Sequence, residues 1–146
     1  MRSFAATTSI RATPNTIWSI LTDAASYPDW NPTVTKVDGR IAIGERIAVH
    51  VTISPGRAFP VTVAVMEPPA TMVWRGGMPL GLFTGERTFR LMPRGDGTVE
   101  FTMRERFTGL LAPLIGRTIP DLQPAFDAFA ASLKREAGHR QMTSSS

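Results

Sequence analysis

Arg87 and Glu105 are the residues of this sequence best suited, by type and spacing, to acid–base chemistry. They flank Gly95-Asp96-Gly97 in the stretch GERTFRLMPRGDGTVEFTMRERF at 85–107. One phase of this region reads Phe83, Gly85, Arg87, Phe89, Leu91, then Val99, Phe101, Met103, Glu105, Phe107. The other reads Glu86, Thr88, Arg90, then Glu100, Thr102, Arg104, Arg106. Period-2 alternation predicts two antiparallel strands, with the first phase buried and the second in water. Two opposite charges therefore stand in the apolar phase.

If the two apolar phases share a face, paired positions must sum to an even number. A three-residue loop sets Arg87 directly opposite Glu105, whereas a five-residue loop pairs Arg87 with Met103 and leaves Glu105 diagonal. Both registers keep the charges together. An isolated charge in a core is costly, so each needs a partner, water or a ligand. One reading is a structural ion pair. The other is a polar spot that binds a ligand, with Arg87 holding a carboxylate or enolate oxygen by paired donors and Glu105 acting as general base or acid. A cyclase or dehydratase would use such a pair to remove a proton beside a carbonyl and stabilise the enolate.

Other chemistries find less support. The sequence has no cysteine, which excludes disulfides, thiolate metal sites and thiol nucleophiles. His50 falls in the polar phase of its strand beside Arg46 and Thr52, and His139 lies in the tail; neither has a carboxylate at ligand spacing, so no metal site is expected. No Gly-x-Ser-x-Gly elbow or phosphate-binding glycine loop is present. The net charge of +4 comes from arginines scattered among acids along the chain, which argues against nucleic acid as a partner. No apolar run approaches the ~20 residues of a membrane span, and the first residues alternate instead of forming a signal peptide's apolar core. The expectation is a cytoplasmic protein with no integral membrane association and no cofactor.

The elements that must position the pair follow from the same patterning. A chain of 146 residues suits one domain with a real core. Residues 3–11 alternate as a strand. Thr13 caps a helix that has Pro14 at its first position and Ile17, Trp18 and Leu21 as its stripe. Pro28 and Pro32 leave room for one more short helical turn, around 24–27. Extended segments are predicted at about 34–41, 45–54, 59–67, 70–76, 82–93 and 98–108, with Phe59, Val61, Val63 and Val65 on one face. A long helix follows Pro120 and Asp121, carries Leu122, Phe126, Phe129 and Leu133 at helical spacing, and stops near Gly138. A single domain over 1–138 and a disordered tail over 139–146 result. Six or seven strands with one oily face need a cover, which the long helix supplies. This is an α+β protein whose curved antiparallel sheet wraps the C-terminal helix, with two short helices after the first strand. One helix does not fill such a sheet, so a cavity is expected between them.

Trp74, Phe83, Phe89, Phe101, Met103, Phe107, Phe126 and Phe129 fall in inward phases, as core and as candidate ligand contacts. Trp30 is expected to pack at the junction of the short helices. The loop GGMPLGLF at 76–83 carries Met78, Leu80 and Leu82 and could gate a cavity. Leu110, Leu111, Leu114 and Ile115 in GLLAPLIG make a lid or a homodimer patch.

Four pieces, ATPNTIWSILTDAASYPDWNP, MVWRGG, GERTF and RERFTGLLAPLIG, together with the final amphipathic helix, resemble the START-like (SRPBCC) superfamily and its polyketide cyclase/dehydrase-like branch. The resemblance covers residues 3 to about 138. It implies the helix-grip fold and a deep cavity for lipids, polyketides or other hydrophobic compounds, in a superfamily of cyclases, carriers and co-chaperones. Relatives of that branch often read Gly-Glu-His where this chain has Gly85-Glu86-Arg87, so histidine chemistry is not implied there.

Overall fold

Alternating segments pair in the computed structural model, which describes residues 3–144, into one antiparallel sheet. Its strands are β1 (Ser3–Ile10), β2 (Val34–Asp38), β3 (Arg46–Val51), β4 (Ala58–Glu67), β5 (Thr71–Met78), β6 (Phe83–Pro93) and β7 (Val99–Thr108). The seven strands lie in the order β1-β7-β6-β5-β4-β3-β2, so the chain meanders from β2 to β7 and β1 closes onto β7. Helices α1 (Pro14–Leu21) and α2 (Tyr27–Trp30) follow β1, α3 (Ala112–Ile115) follows β7, and α4 (Gln123–Ser144) ends the described chain. Short 3-10 turns at Ala24–Ser26 and Gly116–Thr118 join them. This is the expected helix-grip architecture. No helix among the described residues is long and apolar enough to cross a membrane.

Local chemistry accounts for the boundaries. Thr13 caps α1 by accepting from the Thr16 amide at 3.2 Å, and Pro14 occupies the first turn. The buried stripe of α1 is Ile17, Ile20 and Leu21; Trp18 is only partly buried, a small rotation from the expected face. Before α4, Asp121 Oδ1 accepts from the Gln123 amide at 3.0 Å. Phe126, Phe129, Ala130, Leu133 and Ala137 then form its buried face.

Three expectations need correction. Phe59, Val61 and Val63 share a face, but a bulge between Val63 and Val65 pairs Val65 with Val73 and Met66 with Met72, so Met66 takes the inward phase that Val65 was expected to hold. β5 runs to Met78 and β6 starts at Phe83, which shortens the gating loop to 79–82. Finally, α4 passes Gly138 and continues to Ser144, where a disordered tail was expected from 139. Contacts hold this last turn. Gln141 Oε1 accepts from the Thr13 amide and the Thr16 hydroxyl, both at 3.0 Å, and Arg140 pairs with Glu136 at 2.7 Å. Residues 145–146 of the expected tail lie outside the described residues.

Removing the Gln141 contacts tests this docking. Gln141→Ala is expected to cost about 1–2 kcal/mol and lower Tm by roughly 3–6 °C in a thermal melt; an unchanged Tm would mean that the last turn is not anchored.

Candidate functional site

The β6–β7 hairpin sets the site's register. Gly95 and Gly97 take positive φ angles of 81° and 87°, and Asp96 Oδ1 accepts from the Thr98 amide at 3.0 Å. The Arg94 amide donates to the Thr98 carbonyl at 3.0 Å, so three residues form the loop and Arg87 stands directly opposite Glu105. The row across the sheet's inner face continues in both directions. Trp74 pairs with Arg87 on one side, and Phe4 pairs with Glu105 on the other.

Arg87 Nε donates to Glu105 Oε1 at 3.0 Å, with side-chain exposures of only 17% and 15%. The guanidinium also sits 4.8 Å from the centre of the Phe126 ring on α4, a cation–π contact that covers the pair from the helix side. The charge is thus neutralised by a carboxylate, roofed by an aromatic face and still reachable from one side.

That side is the mouth of the grip. Gly76 lies between Trp74 and Met78 on β5, and Gly85 between Phe83 and Arg87 on β6. The two glycines are paired across the strands, so this part of the floor is bare backbone. Close packing explains them: a Cβ on Gly76 would stand 2.6 Å from the Pro60 carbonyl oxygen, and one on Gly85 would stand 3.2 Å from the Phe107 ring. Phe83 and Phe107 stack at 5.6 Å, and Phe59 and Met78 are exposed at the rim. Two loops close around the rim. The Leu110 and Leu111 amides donate to the Gly81 and Leu82 carbonyls at 3.2 and 2.8 Å. Leu80, with φ of 62°, is 92% exposed beside the exposed Leu110 and Leu114.

Deeper in, the expected candidates Trp74, Phe89, Phe101, Met103, Phe126 and Phe129 are all buried. Phe129 contacts the Tyr27, Trp30, Phe89 and Phe101 rings at 5.7–6.4 Å, and Trp74 packs on Phe89 at 4.7 Å. Aromatic rings therefore occupy much of the space where a deep cavity was expected. Two open surface concavities lie elsewhere. One, of about 380 Å³, opens beside Arg11, Thr13, Pro93, Gly97 and Gln141; the other, of about 470 Å³, opens beside Thr7, Asp127, Ala131 and Lys134.

Sequence reasoning missed two features. Tyr27 is fully buried, contacts Trp30, Trp74 and Phe129, and donates from its hydroxyl to the Leu21 carbonyl at 2.7 Å. Its position inside YPDW was the available signal. Burial drives its pKa far above the ordinary phenol value, against a smaller opposing pull from the Arg87 charge. His50 is not free of carboxylates, because the β2–β3 pairing brings Asp38 Oδ2 to 3.0 Å from its Nε2. Hydrogen bonds from Lys36, then from His50, lower the Asp38 pKa. The group is a surface ion-pair cluster, and no set of three metal-ligating side chains occurs among the described residues.

A sheet gripping a long C-terminal helix, with a charged pair inside its mouth, defines a helix-grip protein. The chain belongs to the family described as "Polyketide cyclase / dehydrase and lipid transport", whose model matches residues 1–138. Among solved structures, it is similar to a START superfamily protein from Mycobacterium smegmatis, with a TM-score of 0.60, 18% identity and 97% coverage of both chains. It is also similar to norcoclaurine synthase from Thalictrum flavum, a point mutant in complex with a transition-state analogue, with a TM-score of 0.71, 12% identity and 95% coverage of each. The Aha1 dimer from Colwellia psychrerythraea gives a TM-score of 0.71 and 18% identity, covering 94% of this chain and 97% of that one. A search of curated proteins found no match. These likenesses carry the fold, and the family match carries the membership.

Tyr27 is the single tyrosine of the sequence, so phenolate absorbance reports it alone. Its raised folded-state pKa contributes stability that is fully present below about pH 10 and lost as pH rises toward the folded value. Phenolate absorbance is expected to stay flat through about pH 10 and then rise together with loss of near-UV circular dichroism. A simple titration near the ordinary value in folded protein would contradict the burial.

Proposed function

We propose that the protein binds a small, largely hydrophobic molecule between the sheet and α4, with its polar end at Arg87 and Glu105 near the mouth. The observation that carries this reading is a half-buried ion pair in an otherwise apolar phase, stacked under Phe126 and bordered by the bare Gly76–Gly85 floor. Phe83, Phe107 and Met78 would contact the ligand near the mouth, and Trp74, Phe89, Phe101, Met103, Phe126 and Phe129 would contact it further in. Family membership supports the same reading.

The pair also suits a cyclase or dehydratase step. Glu105 would take a proton from the carbon beside a ligand carbonyl, and the electron pair of the broken C–H bond would move onto the carbonyl oxygen as an enolate held by Arg87. In a cyclase the enolate carbon would then attack a second carbonyl in the same ligand, whose π electrons move onto its oxygen and take the proton back from Glu105; in a dehydratase the enolate would expel a β-hydroxyl, which leaves as water with that proton. A carrier would use the same contacts without the proton transfer.

Native mass spectrometry of freshly purified protein is expected to show a co-purified compound. With that compound in hand, Glu105→Gln is expected to reduce turnover by about 10²–10⁴-fold with affinity held within about threefold. No turnover by either form would leave the carrier, and no bound compound at all would favour a protein-interaction module.

A second reading concerns the rim. Exposed Leu80, Leu110 and Leu114, brought together by the Gly81–Leu110 hydrogen bond, suit a homodimer patch. Light scattering is expected to give twice the 15.9 kDa chain mass, and Leu110→Lys with Leu114→Lys to restore the monomer. A monomer in the unmodified protein would remove the dimer.

A further inference from the structure

The sheet has two free edges, β2 and β1, and they are built differently. β2 has five residues, a bulge between Val34 and Lys36, and the charges of Lys36 and Asp38, devices that keep an edge from pairing. β1 has none of them. Its eight residues, SFAATTSI, carry no charge and no proline, and they pair with β7 without a break from Ser3–Arg106 to Ile10–Val99.

Register shows which backbone groups of β1 reach the open side. The Arg94 amide bonds to the Thr98 carbonyl, so even-numbered residues of β7 turn their backbone groups toward β6 and odd-numbered ones toward β1. The β1 partners of those odd positions are Phe4, Ala6, Thr8 and Ile10, which leaves Ala5, Thr7 and Ser9 facing out. Two contacts agree. The Gln123 side-chain amide donates to the outward Ala5 carbonyl at 2.7 Å. The Thr7 and Thr102 hydroxyls lie 3.4 Å apart, as in a cross-strand pair whose backbones do not bond to each other. Gln123 thus caps one end of the edge. The N–H and C=O groups of Thr7 and Ser9 bond to no protein group among the described residues, and both residues are exposed.

The surroundings of this edge are basic. Between β1 and α4 runs the groove of about 470 Å³, lined by Ala6, Ala130 and Ala131 and bordered by Lys134 and Arg135. On the sheet's outer face Arg104 and Arg106 stand opposite Ala5 and Ser3, small side chains that leave both arginines within reach of a strand added about 4.8 Å beyond β1. All four cations are exposed, and none is in an ion pair among the described residues. The acid at the groove, Asp127, already accepts from Gln123 at 2.9 Å.

We propose that the β1 edge docks an extended acidic segment of a partner protein, added to the sheet as an eighth strand. Thr7 and Ser9 exchange backbone hydrogen bonds with it. Its alternate side chains point into the alanine-lined groove beside Lys134 and Arg135, or outward beside Arg104 and Arg106. Carboxylates therefore meet an unpaired cation on either face, whereas a basic segment meets like charge. The proposal does not depend on the ligand-binding reading.

The probe is an acetylated and amidated seven-residue peptide of alternating glutamate and threonine, titrated calorimetrically into the full chain at low salt. It is expected to bind about tenfold more tightly than its counterpart with lysine in place of glutamate. N-methylation of alternate peptide amides is expected to abolish binding in one phase and spare it in the other, because only one edge of an added strand bonds to β1. Thr7→Pro removes an outward N–H at a position where an edge strand accepts proline, and is expected to weaken binding about tenfold. A thermal melt checks that this variant folds. Arg104→Ala with Lys134→Ala tests the same site through charge alone, leaves the edge backbone intact, and is expected to weaken binding about tenfold as well. No binding of the acidic peptide, equal binding of the two peptides, or binding indifferent to these variants would overturn the proposal. Equal effects of methylation in both phases would show that the peptide is not held as a strand, and overturn it too. A mass of twice 15.9 kDa that Thr7→Pro halves would assign the edge to a second copy of this chain and remove the acidic segment as its occupant.

Discussion

Phe129 of α4 is in ring contact with Tyr27 and Trp30 of α2, Phe89 of β6 and Phe101 of β7. One side chain on the last helix thereby ties the short helices near the start of the chain to the middle of the sheet. Burial of each such side chain stabilises the fold by about 1.5–3 kcal/mol, and edge-on or offset ring pairs add to that. The sheet by itself would leave its inward Met72, Phe89, Met103 and Leu91 in water. The grip is therefore one aromatic cluster with a sheet and two sets of helices attached to it.

Against that apolar background, Arg87 and Glu105 are held where charge is expensive. Their placement depends on the backbone as much as on attraction. The Gly95-Asp96-Gly97 loop fixes the register, the register puts both side chains on the inner face, and Phe126 closes over the guanidinium. A charge pair held this way is already oriented and partly desolvated, as binding or proton transfer requires. The same row carries Trp74, whose indole N–H has no partner among the described residues, so the charged pair and a polar N–H stand at one level of the sheet.

Much of this was legible in the residues. Strict alternation in β6 and β7 reveals the two charges in the apolar phase, and Thr13-Pro14 marks the start of α1. The failures have physical causes. The bulge near Val63 was invisible because Val65 and Met66 are both apolar, so a one-residue slip leaves no trace in polarity. Gly138 reads as a helix stop, yet the contacts that carry α4 past it come from Thr13 and Thr16, more than a hundred residues away. The His50–Asp38 contact depends on strand pairing, which spacing along the chain does not encode. The filling of the interior by Tyr27 and Trp30 was hidden for a related reason. Inward phases show which side chains enter the space between sheet and helix, but not how much of it they fill.

The two lips of the mouth are stitched together by backbone. Gly109 approaches the β5–β6 loop so closely that a Cβ there would stand 2.7 Å from the Leu82 carbonyl oxygen, and the next two amides bond to Gly81 and Leu82. A loop tip moving alone would break both bonds at once. The tip bearing Leu80 and the segment bearing Leu110 are thereby joined as one unit where β6 begins and β7 ends. The chain has in effect a single stitched rim in place of two independent loops, and that rim presents leucines from both.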